Sequence, residues 1–163
     1  MGFRCKTCDR EHEGLPDVGF QKPDPWFDLP EDERERRAIL TADHCSIDGE
    51  HFFIRGVLSL PIVDGEPDEY FGFGVWVSQK KENFELYLAN PDSADIGPFF
   101  GWLSTRIRYY AEDTFLLKTR AHFRSGNLRP LIELEPTDHP LSVDHHQGIT
   151  LAKAWEIVHH FGL

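Results

Sequence analysis

The sequence predicts an α+β fold: a mostly antiparallel sheet of about six strands, a C-terminal helix, one or two short helices and an N-terminal zinc-knuckle-like segment. Three observations support this. Asp48-Gly49 lies between two apolar runs, which is a strong hairpin signal. Residues 114–124 alternate between apolar and polar side chains, as a half-buried strand does. Thr150, a good N-cap residue, precedes an apolar stripe at helical spacing over residues 151–158.

Apolar runs separated by turn residues define the other strands. The hairpin joins residues 39–47 to residues 51–60. Residues 70–77 form a central strand, in which Gly72 and Gly74 leave room on one face for a close approach by other backbone. Further strands are predicted over residues 99–107, 114–124 and 131–135. The alternation within residues 114–124 predicts that Phe115, Leu117 and Phe123 face the core. The polar residues Lys118, Arg120 and His122 then face outward.

Helices are few in this prediction. Asp28 can cap a short helix over residues 30–37, where Pro30 is tolerated in the first turn. Ser78 can cap a second helix with an apolar stripe, which Asn90-Pro91 ends. Gly162 suits the position just after the C-terminal helix. No alternating strand–helix rhythm is present, which argues against a doubly wound fold.

The length of 163 residues is that of one domain. We divide it into a metal-binding knuckle over residues 1–16, a proline-rich connector with a short helix over residues 17–38, and the sheet with its helices over residues 39–163. The aromatic content of 13% argues against disorder. We therefore expect a packed core.

The charge of the chain limits its partners. Its 17 Lys and Arg residues against 28 Asp and Glu residues give a net charge of −11, which disfavours both nucleic acid and anionic membrane surfaces. The N-terminus lacks the apolar region of a signal peptide, and no apolar run approaches the ~20 residues that span a bilayer. We therefore expect a cytoplasmic protein.

The strongest chemical signal is at the N-terminus. Cys5 and Cys8 are separated by two residues and His12 follows, which is the spacing of zinc ligands. Thiols in a reducing compartment favour metal binding over a disulfide. A thioredoxin-like redox pair is less favoured, because it would need a strand before the first cysteine. The prediction is a structural zinc ion.

Three ligands leave one position of a zinc tetrahedron open. Cys45 is the best candidate for the fourth ligand, and His44 and His51 are weaker ones. The alternative for Cys45 is a small buried apolar side chain. A catalytic zinc would instead keep a water at the open position, with Glu11 or Glu13 as a base, but cysteine-rich sites are usually structural.

A second polar cluster lies near the C-terminus. Two carboxylates, Glu133 and Glu135, precede Asp138-His139 and Asp144-His145-His146. Carboxylates beside imidazoles could form a general acid–base pair or a metal site. The simpler interpretation is a turn over Thr137-Asp138-His139-Pro140. In it the Asp138 carboxylate and the Thr137 hydroxyl accept hydrogen bonds from nearby backbone amides, and Pro140 keeps His139 extended. We favour the turn.

Aromatic residues offer a further possibility. A binding groove beside Arg106 and Arg108 could be lined by Trp76, Trp102, Tyr109 and Tyr110. Aromatic side chains on strands more often belong to the core, and we favour that interpretation.

The chain resembles a bacterial family known only as domain of unknown function 2199. The resemblance extends over nearly the whole chain and rests on Cys5-x-x-Cys8 with His12 and Gly14-Leu15-Pro16, Cys45-Ser46-Ile47-Asp48 with His51-Phe52-Phe53-Ile54-Arg55-Gly56, Gly74-Val75-Trp76-Val77-Ser78, Phe100-Gly101-Trp102-Leu103, and the run from Arg129-Pro130 to Pro140-Leu141. It implies a bacterial origin and a small stand-alone domain. It implies no activity, substrate or partner.

Two functions from different classes are compatible with these residues. The first is a non-catalytic binding or protein-interaction module with a structural zinc, whose acidic surface would suit a basic protein partner. The second is a small metal-dependent hydrolase that uses Asp138 and His139 with Glu133 or Glu135. A pocket that joins those four side chains would favour the hydrolase, and their dispersal would favour the module.

Overall fold

The computed structural model describes residues 15–163, together with the backbone of residues 3–4 and 11–12. Its strands are β1 (Phe3–Arg4), β2 (Glu11–His12), β3 (Val18–Gly19), β4 (Ala38–Leu40), β5 (His44–Ile47), β6 (His51–Pro61), β7 (Tyr70–Gln79), β8 (Phe99–Trp102), β9 (Lys118–His122) and β10 (Leu131–Leu134). Its helices are α1 (Asp24–Phe27), α2 (Arg34–Arg37), α3 (Lys81–Ala89), α4 (Pro140–Gln147) and α5 (Leu151–His160), and a 3₁₀ turn over Glu31–Glu33 precedes α2.

The main sheet is mixed, which corrects the mostly antiparallel sheet that the sequence predicts. The strand order is β3-β7-β6-β10-β9-β8, with β5 also beside β6 and β4 beside β5. Two pairings are parallel, β3 with β7 and β10 with β6. Strands joined by a tight hairpin must be antiparallel, but β10 returns to β6 only after three intervening strands, so no turn imposes its direction.

The β5–β6 hairpin and the helix at the C-terminus are confirmed. Asp48 and Gly49 both have positive φ angles, 56° and 64°, as a tight hairpin turn requires. The predicted first strand of that hairpin is two strands, because Thr41 turns the chain by accepting hydrogen bonds from the amides of Asp43 and His44. In α5 the Thr150 hydroxyl accepts from the Lys153 amide, as an N-cap does.

Two apolar clusters lie on opposite faces of β6 and β7. The larger is formed by one face of these strands with α5 and the strands β9 and β10. The smaller consists of Leu29, Cys45, Ile47, Phe53 and Trp76. On this second face a Cβ at Gly74 would lie 3.4 Å from the Cα of Gly19, its partner in the β3–β7 ladder, which is an ordinary contact distance. The predicted close approach at Gly74 therefore stays a prediction.

The predicted strand over residues 114–124 is shorter than expected. Its ordered part is β9, where Lys118, Arg120 and His122 are exposed while Thr119 and Ala121 are buried, so the alternation is confirmed there. The first four residues instead form a turn, with Leu116 at a φ of 70°. Their backbone is held by the Thr114 hydroxyl, which donates to the Thr105 carbonyl.

Two helix predictions need correction. Ser78 lies inside β7 and does not cap a helix, because α3 begins three residues later at Lys81. The strand β7 therefore continues past the predicted end. The sequence predicts a turn and a polar loop over residues 138–146. The structure instead has the helix α4 there. Its low apolar content explains the miss, since helical periodicity needs an apolar stripe.

The sheet curls so that β8, at the end of the strand order, also meets β7. Leu103 forms an antiparallel bridge with Val77, and the Ser104 amide donates to the Trp76 carbonyl over 2.8 Å. The Trp102 amide donates to the Ser78 hydroxyl. These contacts fix the orientation of β8, which decides which of its side chains face outward.

Candidate binding surface

The side chains of β8, β9 and β10 that point away from the core form one continuous surface, which we call the outer face. Strand pairing sets Phe100 opposite Arg120, and Arg120 opposite Glu133. This gives one row of side chains across three strands. A second row, one step along the strands, is formed by Trp102, Lys118 and Glu135. The two rows line a shallow cavity of about 530 Å³.

Phe100 and Trp102 form an exposed aromatic pair. Their side chains are 44% and 41% exposed, and their rings meet edge to face with centroids 5.1 Å apart. Gly101 between them is buried, and a Cβ at this position would clash with the Ser78 carbonyl oxygen of β7. Only glycine allows this close approach, which turns the two aromatic side chains of β8 outward.

The charged residues of the outer face are arranged in two stripes. Lys118 and Arg120 form a basic stripe on β9, and Glu133 and Glu135 form an acidic stripe along β10. Within the described part of the chain, no ion pair includes Lys118, Arg120 or Glu135. Their charges therefore remain available to a ligand.

Glu133 is the one carboxylate of these stripes with a partner. Its Oε1 atom lies 3.1 Å from Nε2 of His122, and this contact holds the pKa of Glu133 below its usual range. Both side chains are about half exposed, so the pair contributes little to stability.

The residues of the hydrolase hypothesis are dispersed. His139 is buried and is the N-cap of α4: its Nδ1 accepts from the Leu141 amide, and its Nε2 lies 3.1 Å from the Asp113 carbonyl. Both ring nitrogens of His139 thus interact with backbone groups. Asp138 is exposed, and among the described residues no hydrogen bond involves its carboxylate. Glu133 and Glu135 lie on the outer face.

The expected turn at residues 137–141 is present, and one of its two predicted side-chain acceptors is confirmed. The Thr137 hydroxyl, and not the Asp138 carboxylate, accepts from the His139 amide. His139 then caps the helix that follows. Among the described residues no hydrogen bond reaches the Asp138 carboxylate, so the prediction for that side chain is wrong.

Two histidines of α4 bridge the gap between β6 and β10. Nδ1 of His145 lies 2.7 Å from the Ser59 carbonyl of β6, and Nε2 of His146 lies 2.8 Å from the Leu134 carbonyl of β10. Burial lowers the pKa of His145 below its usual value. These contacts satisfy strand carbonyls and give both imidazoles a structural role.

A buried polar network joins α4 to α5. The Tyr110 hydroxyl donates to Oδ2 of Asp144 over 2.8 Å, and Nζ of Lys153 lies 2.8 Å from the same oxygen. Burial and the neighbouring carboxylate raise the pKa of Tyr110. Every group of this network has a partner within the fold. We interpret it as a structural link between the helices.

The predicted zinc ligands fall partly outside the described residues. Cys5 and Cys8 lie there, and of His12 only the backbone is described, in β2. Cys45 is fully buried in the smaller apolar cluster, and burial raises the pKa of its thiol to about 11. Zinc binds the thiolate, so a zinc ion at Cys45 would have to offset the cost of burying that charge. Within the described residues, no three His, Cys, Asp or Glu side chains are grouped to hold a metal ion.

Sequence reasoning missed the aromatic pair of the outer face. The sequence places Trp102 in a possible groove with Trp76, Tyr109 and Tyr110, but Trp76 and Tyr110 are buried. A usable signal is present in Phe100-Gly101-Trp102, because two aromatic residues separated by one glycine lie on the same face of a strand. The outward direction of Lys118 and Arg120 was predicted.

The comparisons with known proteins identify a family. The family model described as "Uncharacterized protein conserved in bacteria (DUF2199)" matches residues 4–149. The chain belongs to this family. No curated protein and no solved structure matches the chain. None of the helices that the structure describes has the length and apolar character needed to cross a membrane.

Proposed function

We propose that the protein is a non-catalytic protein-interaction module whose contact surface is the outer face. The observation that supports this most directly is the exposed pair Phe100 and Trp102 beside Lys118 and Arg120, which form no ion pair within the part of the chain that the structure describes. Aromatic and arginine side chains are enriched at the centres of protein interfaces, where they supply most of the binding energy. The position of Arg120 next to Phe100 in the sheet fits that composition.

The alternative function, a small metal-dependent hydrolase using Asp138 and His139, has less support. A general base needs a ring nitrogen within reach of the substrate. Both ring nitrogens of His139 are directed at backbone groups, and the Asp138 carboxylate is at the surface. The candidate acid–base residues are thus dispersed, and their dispersal favours an interaction module over a hydrolase.

Photochemical cross-linking tests the proposed contact surface. We place p-benzoylphenylalanine at position 102, where it replaces one exposed aromatic side chain by another, and irradiate a bacterium that produces the full chain. We expect discrete cross-linked protein products. The matched control carries the same group at position 39, since Ile39 is 67% exposed and lies on β4, outside the outer face. Equal products from both positions, or none from position 102, would contradict the proposal.

We also propose a structural zinc ion held by Cys5, Cys8, His12 and Cys45. The pairing of β1 with β2 supports the first three, because it sets Phe3 opposite His12 and Arg4 opposite Glu11. The two strands that flank Cys5 and Cys8 in the sequence are therefore neighbours, and the two-residue spacing of these cysteines is that of zinc ligands. The apolar surroundings of Cys45 make it the least supported member of the set.

Elemental analysis of protein purified without added metal tests the zinc site. We expect about one zinc per chain, lost in Cys5→Ser and Cys8→Ser variants. The variant Cys45→Ala decides the fourth ligand: loss of zinc assigns Cys45, and full retention removes it from the site. Well under one zinc per wild-type chain would contradict the proposal as a whole.

A further inference from the structure

We propose that the partner of the outer face is a second copy of this chain, in a symmetric dimer. This inference rests on the proposed function, because it takes the outer face as a protein contact and names what covers it. The outer face is self-complementary: its basic stripe on β9 and its acidic stripe along β10 lie side by side and are in register. A two-fold interface requires this kind of pattern, since the same patch must fit itself.

The registration of the stripes defines the geometry. Arg120 is level with Glu133, its partner in the β9–β10 ladder. Lys118 is level with Glu135, whose amide donates to the Lys118 carbonyl over 2.9 Å. A two-fold axis parallel to the strands, between β9 and β10, exchanges the two stripes and keeps the level of each residue. Arg120 then faces Glu133 of the other copy, and Lys118 faces Glu135 of the other copy.

The aromatic pair completes the contact. The same two-fold rotation places β8 of each copy next to β10 of the other copy, on the side of β10 that faces away from β9. Phe100 and Trp102 would then cover the flank of β10, where the exposed Pro136 lines the same cavity. Aromatic anchors beside matched charges are the arrangement that gives interfaces both affinity and register.

The charge balance of the outer face favours a second copy over a basic partner. The whole chain has a net charge of −11, so a basic protein would be attracted to most of its surface. On the outer face, Lys118 and Arg120 offset Glu133 and Glu135. Two copies can therefore approach through this face without the repulsion that their net charges impose elsewhere.

Charge reversal of the full chain tests the dimer by sedimentation equilibrium. We expect wild type to dimerise with rising concentration. We use two double variants, Lys118→Glu with Arg120→Glu and Glu133→Lys with Glu135→Lys. Each should raise the dissociation constant of the dimer at least about tenfold, because like charges then face each other. An equimolar mixture of the two variants should restore the dimer, since one presents only acidic stripes and the other only basic ones.

The matched control is Lys80→Glu with Lys81→Glu, which changes the net charge as much as the first variant does. Both lysines are exposed at the start of α3. This control should lose far less affinity, and circular dichroism should show that all variants are folded. A monomeric wild type, unaffected reversal variants, or a mixture that stays monomeric would overturn the inference. A monomeric wild type that cross-links from position 102 to a different protein would overturn the dimer alone, and the proposed function would stand.

Discussion

Replacement of Trp76 by alanine is expected to lower the free energy of unfolding by about 4 kcal/mol, the usual cost of removing a large buried aromatic side chain. Trp76 is fully buried in the smaller apolar cluster against Leu29, Cys45 and Phe53. Its indole Nε1 donates to the Phe20 carbonyl over 2.8 Å, and the variant would leave that acceptor without its donor. Urea denaturation, monitored by circular dichroism, measures the change.

Trp102→Ala is the matched control, because it removes the same side chain from the outer face. Trp102 is 41% exposed and packs mainly on Phe100, so the expected loss is below about 1 kcal/mol in dilute solution. The two tryptophans thus separate stability from binding: Trp76→Ala destabilises the fold, and Trp102→Ala weakens association. Similar losses of stability in both variants would contradict the assignment of Trp102 to a binding surface.

The parts of the fold that the sequence predicted are those set by local signals. The hairpin at Asp48-Gly49 follows from residues that tolerate positive φ, and the cap at Thr150 follows from a hydroxyl placed before an apolar stripe. Both determinants lie within a few residues of the element they specify. A single sequence is enough to recognise them.

The parts that the sequence did not predict depend on distant residues. The parallel pairing of β10 with β6 joins Leu131 to Val57, far apart in the chain, and no local pattern encodes it. The helix α4 was missed for a related reason: it is fixed by tertiary hydrogen bonds from His145 and His146 to carbonyls of two strands, and not by an apolar stripe.

The candidate site shows the same division. Alternation within residues 118–122 predicted that Lys118 and Arg120 face outward, because the side-chain period of a strand is local. That Phe100 and Trp102 also face outward depends on the contact between Gly101 and the Ser78 carbonyl of β7. Only the folded structure shows that the aromatic, basic and acidic stripes are neighbours.

Phe123→Ala is expected to lower the free energy of unfolding by about 3 kcal/mol through a cavity in the larger cluster. Phe123 is 8% exposed and contacts two rings, those of Tyr87 and Phe99, each with centroids 5.2 Å away. It also packs beneath Gly97, where an added Cβ would lie 2.9 Å from its ring. Two separate chain segments, α3 and residues 97–99, therefore contact this side chain. We expect neither of them to close the cavity fully. Urea denaturation again provides the measurement.

The neighbouring residue supplies the control for this prediction. His122 precedes Phe123 and points to the other face of the sheet, where it contacts Glu133 at the surface. His122→Ala should cost less than about 1 kcal/mol, since exposed ion pairs contribute little. The last residue of β9 and the residue directly after it would then differ in their effect, because successive side chains of extended backbone face opposite sides of the sheet. If Phe123→Ala cost below about 1 kcal/mol, the inward direction of Phe123, which directly follows β9, would be wrongly assigned. The outward direction of the basic stripe, on which the proposed dimer depends, would then be wrong as well.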